Sequence, residues 1–562
     1  MPRNPTPKTR AQLLTAAFLT LSFALSVAVL ATRNLFDDEL FSLYLVTGSA
    51  RDIFRITAHG DVHPPGMYLL AHLAYLTLPS FRWMNLFPLL VLYTGLAVFL
   101  FEVAPLFLRI RAQLCLLLLA TLHPQLLLWG ATFRWYSWWT GLALIALTIA
   151  LQPRESRPTL GVARALTLGL LLAGLFYLNY IAFLFLVALA PAMFLRYRTQ
   201  PWKPLLTRAF LIAGVFFLLI APQLHTLFTV HLPEGRAQRY GMAMSCLRLL
   251  QSIAASEAYL PWHPLAILAT LLFAGLCIAG WVHLVTKSPR SGIRPSPQAP
   301  LRSFDLASIA LFGLLFLLLV AATGLGGRPR NGLLLIPVLA PTAALIVETL
   351  RPRTQTAILI FFALWSAVGI SHLFGRHGLA KSAMNDRPEQ VVAFVERGVA
   401  SGCVVVVTYD SALAFELAHE ARLHSTLIIS PYRGPIFGGD RTLPPEGCAH
   451  PRLYAVQSYL SGRAHRVEAV NRELQIAEQY IEGPPSLDSF SPDPDARLKR
   501  RLAQLPGLGS DLQSMAALPD YRYIVASGPI DRANIEPMRH RMAHFVSGYD
   551  TTPDQNPDHP EP

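Results

Sequence analysis

Charge is what this chain has least of. Only 14% of its 562 residues are Asp, Glu, Lys or Arg, against 53% hydrophobic, and the mean hydropathy is +0.41. Such a chain is too apolar for an ordinary soluble domain and has material for many bilayer crossings. Acid is scarcest where the apolar runs lie: residues 1–373 hold 11 of the 34 acidic residues and 374–562 hold the other 23. Two domains of different character follow. Cysteine is rare, five in all, and none of them stands at metal-ligand spacing. A glycine-rich phosphate loop, a Ser-His-Asp arrangement and a nucleotide-sugar signature are missing. So is any internal repeat, which argues against the repeated halves of a transporter.

What is present is a series of apolar runs punctuated by basic clusters. The net charge of +13 does not point to nucleic acid, because the basic residues recur between apolar runs instead of forming one face. About eleven runs are long enough to cross a bilayer, at 11–32, 83–106, 113–131, 136–152, 165–179, 181–195, 209–228, 264–285, 306–323, 332–350 and 356–373. The first, Ala11 to Thr32, follows a basic start but is long and lacks a clean cleavage site, so it is taken as a transmembrane helix and not a signal peptide. Threaded alternately, Arg3, Lys8 and Arg10, Arg109 and Arg111, Arg154, Arg157 and Arg164 all fall on one side. Arg196 to Arg208, Lys287 to Arg302, and Arg351 with Arg353 fall there too, as the positive-inside rule requires of the cytoplasmic face. The N-terminus is then cytoplasmic, the location a cell inner (plasma) membrane, and an odd number of crossings exports the tail. The apolar stretch Gly66 to Pro79 is too short to cross and would invert every later loop. It reads as a helix lying on the outer surface.

The sequence thus predicts a polytopic α-helical membrane portion over 1–375, with an external loop at 33–82, and a soluble α/β domain over 385–550. The Pro-rich end 551–562 reads as disordered. In the tail, Cys403 to Thr408 is β-branched, SALAFELAHEARLH suits a helix, and TLIIS, Leu453 to Val456 and Tyr521 to Ala526 suit strands. A helical stretch is expected near 466–482, and Asp410 is placed to cap the helix that follows it. An exported tail also allows a Cys403–Cys448 disulfide.

The first external loop holds Asp37, Asp38, Glu39, Asp52 and Asp61, five of the eleven carboxylates in the membrane portion. Carboxylates beside a bilayer cost solvation energy unless they face water or a partner. One reading has them simply solvated, with Asp61 capping a helix that starts at Pro64–Pro65. The other makes one of them a general base, drawing the proton from an acceptor hydroxyl as that oxygen attacks the anomeric carbon of a sugar. A second acid would orient the acceptor or tune the first.

The pattern of Asp38–Glu39 followed by Asp61-x-His63-Pro64-Pro65 resembles the first loop of GT-C membrane glycosyltransferases. It is most similar to the bacterial branch related to protein O-mannosyltransferases and the lipid A aminoarabinose transferase. FRWMNLFPLL (81–90), ATFRWYSWWTGLALIAL (131–147), Asn179–Tyr180 and GGRPRNGLLLIPVLAP (326–341) are similar to shorter motifs of that family. The sequence departs from the pattern in three places: the Asp37–Asp38 doublet leaves two candidates for the base, Asn179 stands where relatives have His, and RPRN lacks a tyrosine. Arg328 and Arg330 therefore compete for one role.

The resemblance implies transfer of a sugar from a polyprenyl-phosphate donor to a glycan, lipid or protein acceptor outside the cytoplasm. It implies Asp38 or Asp37 as base, with Glu39 and Asp61 assisting. Arg134 and Arg330, or Arg328, with Tyr136, would hold the departing phosphate, supported by His63 and Tyr180. Arginine suits that task because its planar fork stays charged and can address two oxygens. Arg134 among Trp129, Trp135, Trp138 and Trp139 also reads as an interfacial anchor. Glu102 and His123, inside apolar runs, are expected to find partners within the bundle. No cofactor is expected; a divalent cation held by loop carboxylates beside His63 would want several oxygen ligands and is the less favoured alternative. The rival function is a transporter or flippase for envelope lipids or glycans.

Overall fold

The computed structural model describes residues 7–375 apart from 34, 36, 60–62, 79–82, 152–159, 199–200, 230–241, 260–262, 287–298 and 324–328. In the tail it describes 388–399, 403–408, 411–420, 423, 426–430, 441–442, 448, 451–458, 480, 482, 486–489 and 523–544. The chain packs as two compact units. One comprises Met1–Arg33 and Leu45–Ala380, the other Asn34–Tyr44 and Lys381–Pro562. The start of the acidic loop thus packs with the tail's unit.

The described secondary structure of the first unit is all helical. Its helices are α1 (Pro7–Thr32), the end of α2 (Asp37–Thr47), α3 (Ala50–His59), α4 (Gly66–Thr77), α5 (Leu86–Val103), α6 (Ile110–Thr121), α7 (Pro124–Gly130) and α8 (Trp135–Leu151). They continue with α9 (Val162–Leu178), α10 (Ala182–Tyr197), α11 (Trp202–Thr229), α12 (Met242–Ala255), α13 (Pro264–Thr286), α14 (Ala299–Ala322), α15 (Leu335–Thr349) and α16 (Pro352–Gly375). Six described helices are long and apolar enough to cross a membrane: Lys8–Thr32, Trp83–Leu106, Ile110–Gly130, Trp202–Leu224, Pro264–Thr286 and Pro352–Gly375. Six of the eleven expected spans fall on these. The other five fall on apolar helices of 10–17 residues, as does Met242–Ala255, which the apolar runs did not reveal. The chain is a membrane protein.

Two breaks have local causes. Within 113–131, Pro124 cannot donate to the helical ladder, so α6 ends and α7 restarts with His123 as its N-cap, its Nδ1 accepting from Gln125 N at 3.1 Å. Between α9 and α10, Asn179 is extended and its Oδ1 captures Ile181 N at 2.9 Å, which competes with helix continuation. His123 is buried and its Nε2 donates to Ile253 O at 2.6 Å, so its role is the internal partnership expected of it. Helix α4 has 12 residues, about 18 Å, too short to cross. It exposes Leu70, Leu73 and Leu76 while burying Met67, Tyr68, Ala71 and Ala74, the two-faced pattern of an interfacial helix.

In the second unit a five-stranded sheet runs in the order β2-β1-β3-β5-β4. Strands β1 (Val404–Val407), β2 (Leu427–Ile429) and β3 (Arg452–Ser458) are parallel, while β4 (Ser486–Ser489) and β5 (Tyr523–Pro529) join antiparallel. Helices α17 (Pro388–Val399), α18 (Ser411–His419) and α19 (Ile535–His544) are described beside it. All four valines of β1 are buried, as a central parallel strand requires. Cys403 and Cys448 form a disulfide with Cα atoms 5.5 Å apart. Strand β4 and helices α17 and α19 were not anticipated. Asp410, all but 480 and 482 of the helix expected near 466–482, and the end 551–562 lie outside the described residues.

Candidate functional site

One end of the first unit gathers the polar and aromatic side chains. Helices α1, α7 and α9 finish there, and α5, α8, α10 and α15 begin there. The turn between α7 and α8 is its frame. Its carbonyls would be orphaned at a buried helix end, and side chains from elsewhere satisfy them. Arg33, at the end of α1, donates from Nε (3.1 Å) and Nη2 (2.7 Å) to Ala131 O, and Asn85, just before α5, donates to the same oxygen at 2.5 Å. Thr132 Oγ1 donates to Trp129 O at 2.5 Å and Ser137 Oγ to Gly130 O at 2.6 Å. The backbone carrying Arg134, Trp135 and Tyr136 is therefore fixed from three helices.

Arg134 is 6% exposed. A guanidinium snorkelling outward as an interfacial anchor would leave the bundle, so Arg134 is an interior residue. Arg330 lies in the turn Pro329–Gly332 just before α15. Its guanidinium carbon sits 5.3 Å from the ring centre of Trp129 and 5.7 Å from that of Tyr136, with those rings 5.4 Å apart and edge to face. Aromatic faces attract a cation through the ring quadrupole, most strongly where water is scarce. A planar guanidinium has the geometry to address two oxygens of one phosphate.

Trp135 continues the aromatic row, 4.5 Å from Tyr136 and 6.3 Å from the His63 ring. Asn179 Nδ2 donates to His63 Nδ1 at 3.3 Å. The Asn that stands where His was anticipated is thus an anchor for the His63–Pro64–Pro65 turn. Gly66 permits the approach: a Cβ there would lie 2.5 Å from Tyr177 O. Pro65 is the N-cap of α4, with no side-chain cap bond, and its carbonyl accepts from Leu69 N. Tyr180 OH accepts from Gln223 Nε2 at 3.1 Å and its ring packs on Phe176.

Of the acidic loop, Asp37, Asp38 and Glu39 form the first turn of α2. The side chains of Asp37 and Asp38, all of Asp61 and Arg328, lie outside the described residues. Glu39 is fully buried, so the solvated-loop reading fails for it. Asp52 is a local structural residue. Ser49 donates to its Oδ2 from Oγ (2.6 Å) and from N (3.3 Å), and Arg55 lies 3.3 Å from Oδ1. Those Ser49 hydrogen bonds, more than the nearby arginines, hold its carboxyl below the usual carboxylate range.

Glu257 was missed. It follows α12, in a stretch read only as a connection. Its Oε2 accepts from Trp129 Nε1 at 2.5 Å and from Gln125 Nε2 at 3.0 Å, and its N donates to Gln125 Oε1 at 2.7 Å. The available signal was its rarity as one of eleven carboxylates in 373 residues.

No family model and no curated protein matches this chain in sequence. Solved structures do. ArnT from Cupriavidus metallidurans bound to undecaprenyl phosphate is similar over 91% of this chain and 97% of its own, at a TM-score of 0.51 and 14% identity. This is a GT-C fold. The same ArnT in the apo state (TM-score 0.48, 13% identity, covering 92% of this chain and 98% of that one) is a weaker likeness. Weaker still is the Archaeoglobus fulgidus oligosaccharyltransferase tethered with an acceptor peptide (TM-score 0.40, 12% identity, 85% and 73% covered). The likeness to the lipid-bound ArnT extends over nearly the whole length of both chains, so the GT-C fold takes in the helical unit and is not confined to the first-loop motif.

Proposed function

We propose that this protein is a membrane glycosyltransferase that takes a sugar from a polyprenyl-phosphate donor and attaches it to an acceptor on the outer face of the membrane. The observation that carries the reading is the Arg330 guanidinium held over Trp129 and Tyr136 at the end of a GT-C bundle, a fold whose similar member ArnT has been crystallised with undecaprenyl phosphate. Asp38, with Asp37 as the alternative, takes the acceptor's hydroxyl proton. The acceptor oxygen bonds to the anomeric carbon with inversion, and the bond from that carbon to the phosphate oxygen breaks, its electron pair leaving on the lipid phosphate. Arg330 and Arg134 stabilise that charge as it develops. Glu39 and Asp61 orient acceptor and donor, and no metal takes part. The Cys403–Cys448 disulfide supports an extracytoplasmic tail, since such bonds persist in oxidising compartments. The sugar is a hexose or pentose, and the acceptor an envelope glycan, lipid or protein.

The test is transfer by the purified full-length protein from polyprenyl-phosphate sugars to an envelope extract. Asp38→Asn, or failing that Asp37→Asn, abolishes turnover while donor binding persists. Survival of transfer in Asp37→Asn, Asp38→Asn and Asp61→Asn together sinks the catalytic-loop reading. Substrate movement across the bilayer without transfer would revive the transporter.

A further inference from the structure

We infer that Glu257 is a positioning residue for the phosphate site, acting on Arg330 through the indole of Trp129. The inference rests on the reading of Arg330 as a phosphate ligand.

Trp129 touches both charges. Its Nε1–H donates to Glu257 Oε2 at 2.5 Å, and its ring lies 5.3 Å from the Arg330 guanidinium carbon. A carboxylate accepting from an indole N–H pushes electron density into the ring, and a more negative face holds a cation more firmly. The same hydrogen bond fixes the tilt of the indole, which with the Tyr136 ring, 5.4 Å away, defines the seat of the guanidinium. A negative charge kept one ring away from Arg330 steadies this half-buried cation before the anionic lipid arrives.

The segment is built to hold that carboxylate in place. Ser256, just before it, has φ 72°, a left-handed conformation that non-glycine residues rarely adopt. The serine hydroxyl locks it, donating to Gln125 Oε1 at 3.1 Å and accepting from Ala258 N at 3.0 Å. Gln125 closes the ring with its two bonds to Glu257, and its own backbone is pinned by His123. A strained residue kept by three side chains around one carboxylate has the character of a functional device. A plain tie between α7 and the segment after α12 would need no charge.

The experiment is a double-mutant cycle on the full-length protein in detergent, reading affinity for a short-chain polyprenyl phosphate and the donor KM and kcat. Glu257→Gln keeps the shape and removes the charge. It weakens phosphate binding and raises donor KM by roughly tenfold with kcat near wild type, and has less than a twofold effect in an Arg330→Ala background. Trp129→Phe, which keeps a ring face but lacks the N–H, behaves as Glu257→Gln does and substitutes for it should that variant fail to accumulate. Equal penalties in the two backgrounds, or wild-type affinity for Glu257→Gln beside a weakened Arg330→Ala, overturn the inference and leave the phosphate role of Arg330 standing. Wild-type affinity in Arg330→Ala overturns both.

Discussion

Gly66→Ala is the sharpest probe of how the first-loop motif is held. The added Cβ would meet Tyr177 O at 2.5 Å, Tyr177 C at 2.8 Å and Tyr177 Cβ at 2.9 Å, two of the three being backbone atoms. Backbone at the end of α9 cannot rotate away as a side-chain tip can. To restore an ordinary contact of 3.4 Å, the start of α4 must retreat by about 0.9 Å, a shift large on the scale of packed interiors. The His63–Asn179 bond, already 3.3 Å, would be lost with it. Overpacking of this kind costs about 1–3 kcal/mol of stability. A displacement near 1 Å at a positioning element costs roughly a hundredfold in rate. Turnover in Gly66→Ala should therefore fall by about two orders of magnitude, with a small drop in the thermal midpoint of the detergent-solubilised protein. Gly66→Ala with wild-type kcat and KM would refute the claim that this close approach fixes the motif.

Three other perturbations have defined outcomes. Removing residues 381–562 should abolish transfer and not merely change acceptor choice, because Asn34–Tyr44, with Asp37, Asp38 and Glu39, belongs to the same compact unit; a truncated protein with full turnover would contradict this. Replacing Cys403 and Cys448 together by Ser releases a loop closed over a separation of 45 residues, worth about 4 kcal/mol by chain entropy. The tail should become protease-sensitive, whereas finding both thiols reduced in intact cells would overturn the exported orientation. The third concerns His419, which stacks on Phe415 at 4.2 Å and meets Phe415 O at 2.9 Å. Partial burial, then the positive Arg441, depress its pKa against the raising effect of that carbonyl. A folded pKa below the unfolded value of about 6.5 gives stability that is present above that pH and lost as pH falls through the folded value. Proteolysis of the tail should accelerate from about pH 6.5 downward and lose that dependence in His419→Gln; an unchanged profile would refute the assignment.

The eleven apolar runs were legible because each carries its own signal, length and absence of charge, and every one falls on a helix of the first unit. The tail's first strands were legible for a similar reason, as β-branched runs. What escaped depends on partners distant in sequence. Helix α12 is amphipathic and shorter than a crossing, so no hydropathy window reveals it, and Glu257 beyond it has meaning only beside Trp129, 128 residues earlier. Asn85 was seen as part of an arginine-bearing segment, yet the side chain that reaches the α7–α8 turn is the asparagine. Asn179 looked like the loss of a titratable group and is instead a donor to His63. Arg330 and Tyr136, both singled out from short motifs, are in contact.

A site at the end of such a bundle depends on how closely the helices cross beneath it. Lipid is as apolar as leucine, so burial alone does not bring crossing helices together and close packing at small residues must do so. The first unit has these contacts below the site. Gly95 of α5 lies against Gly141 of α8, Gly280 of α13 against Thr342 of α15 and Gly369 of α16 against Pro124 of α7, each with no room for a methyl group. The first crossing holds Asn85, at the head of α5, within 2.5 Å of Ala131 O, and so fixes where Trp135 and Tyr136 emerge at the head of α8. The second sets the height of α15 and of the Arg330 turn before it. The third seats Pro124, beside Gln125 and the carboxylate it holds. Cation, aromatic platform and counter-charge are thus each indexed to a glycine crossing of the helical unit, and enlarging any of these glycines should move the proposed phosphate site before it unfolds the protein.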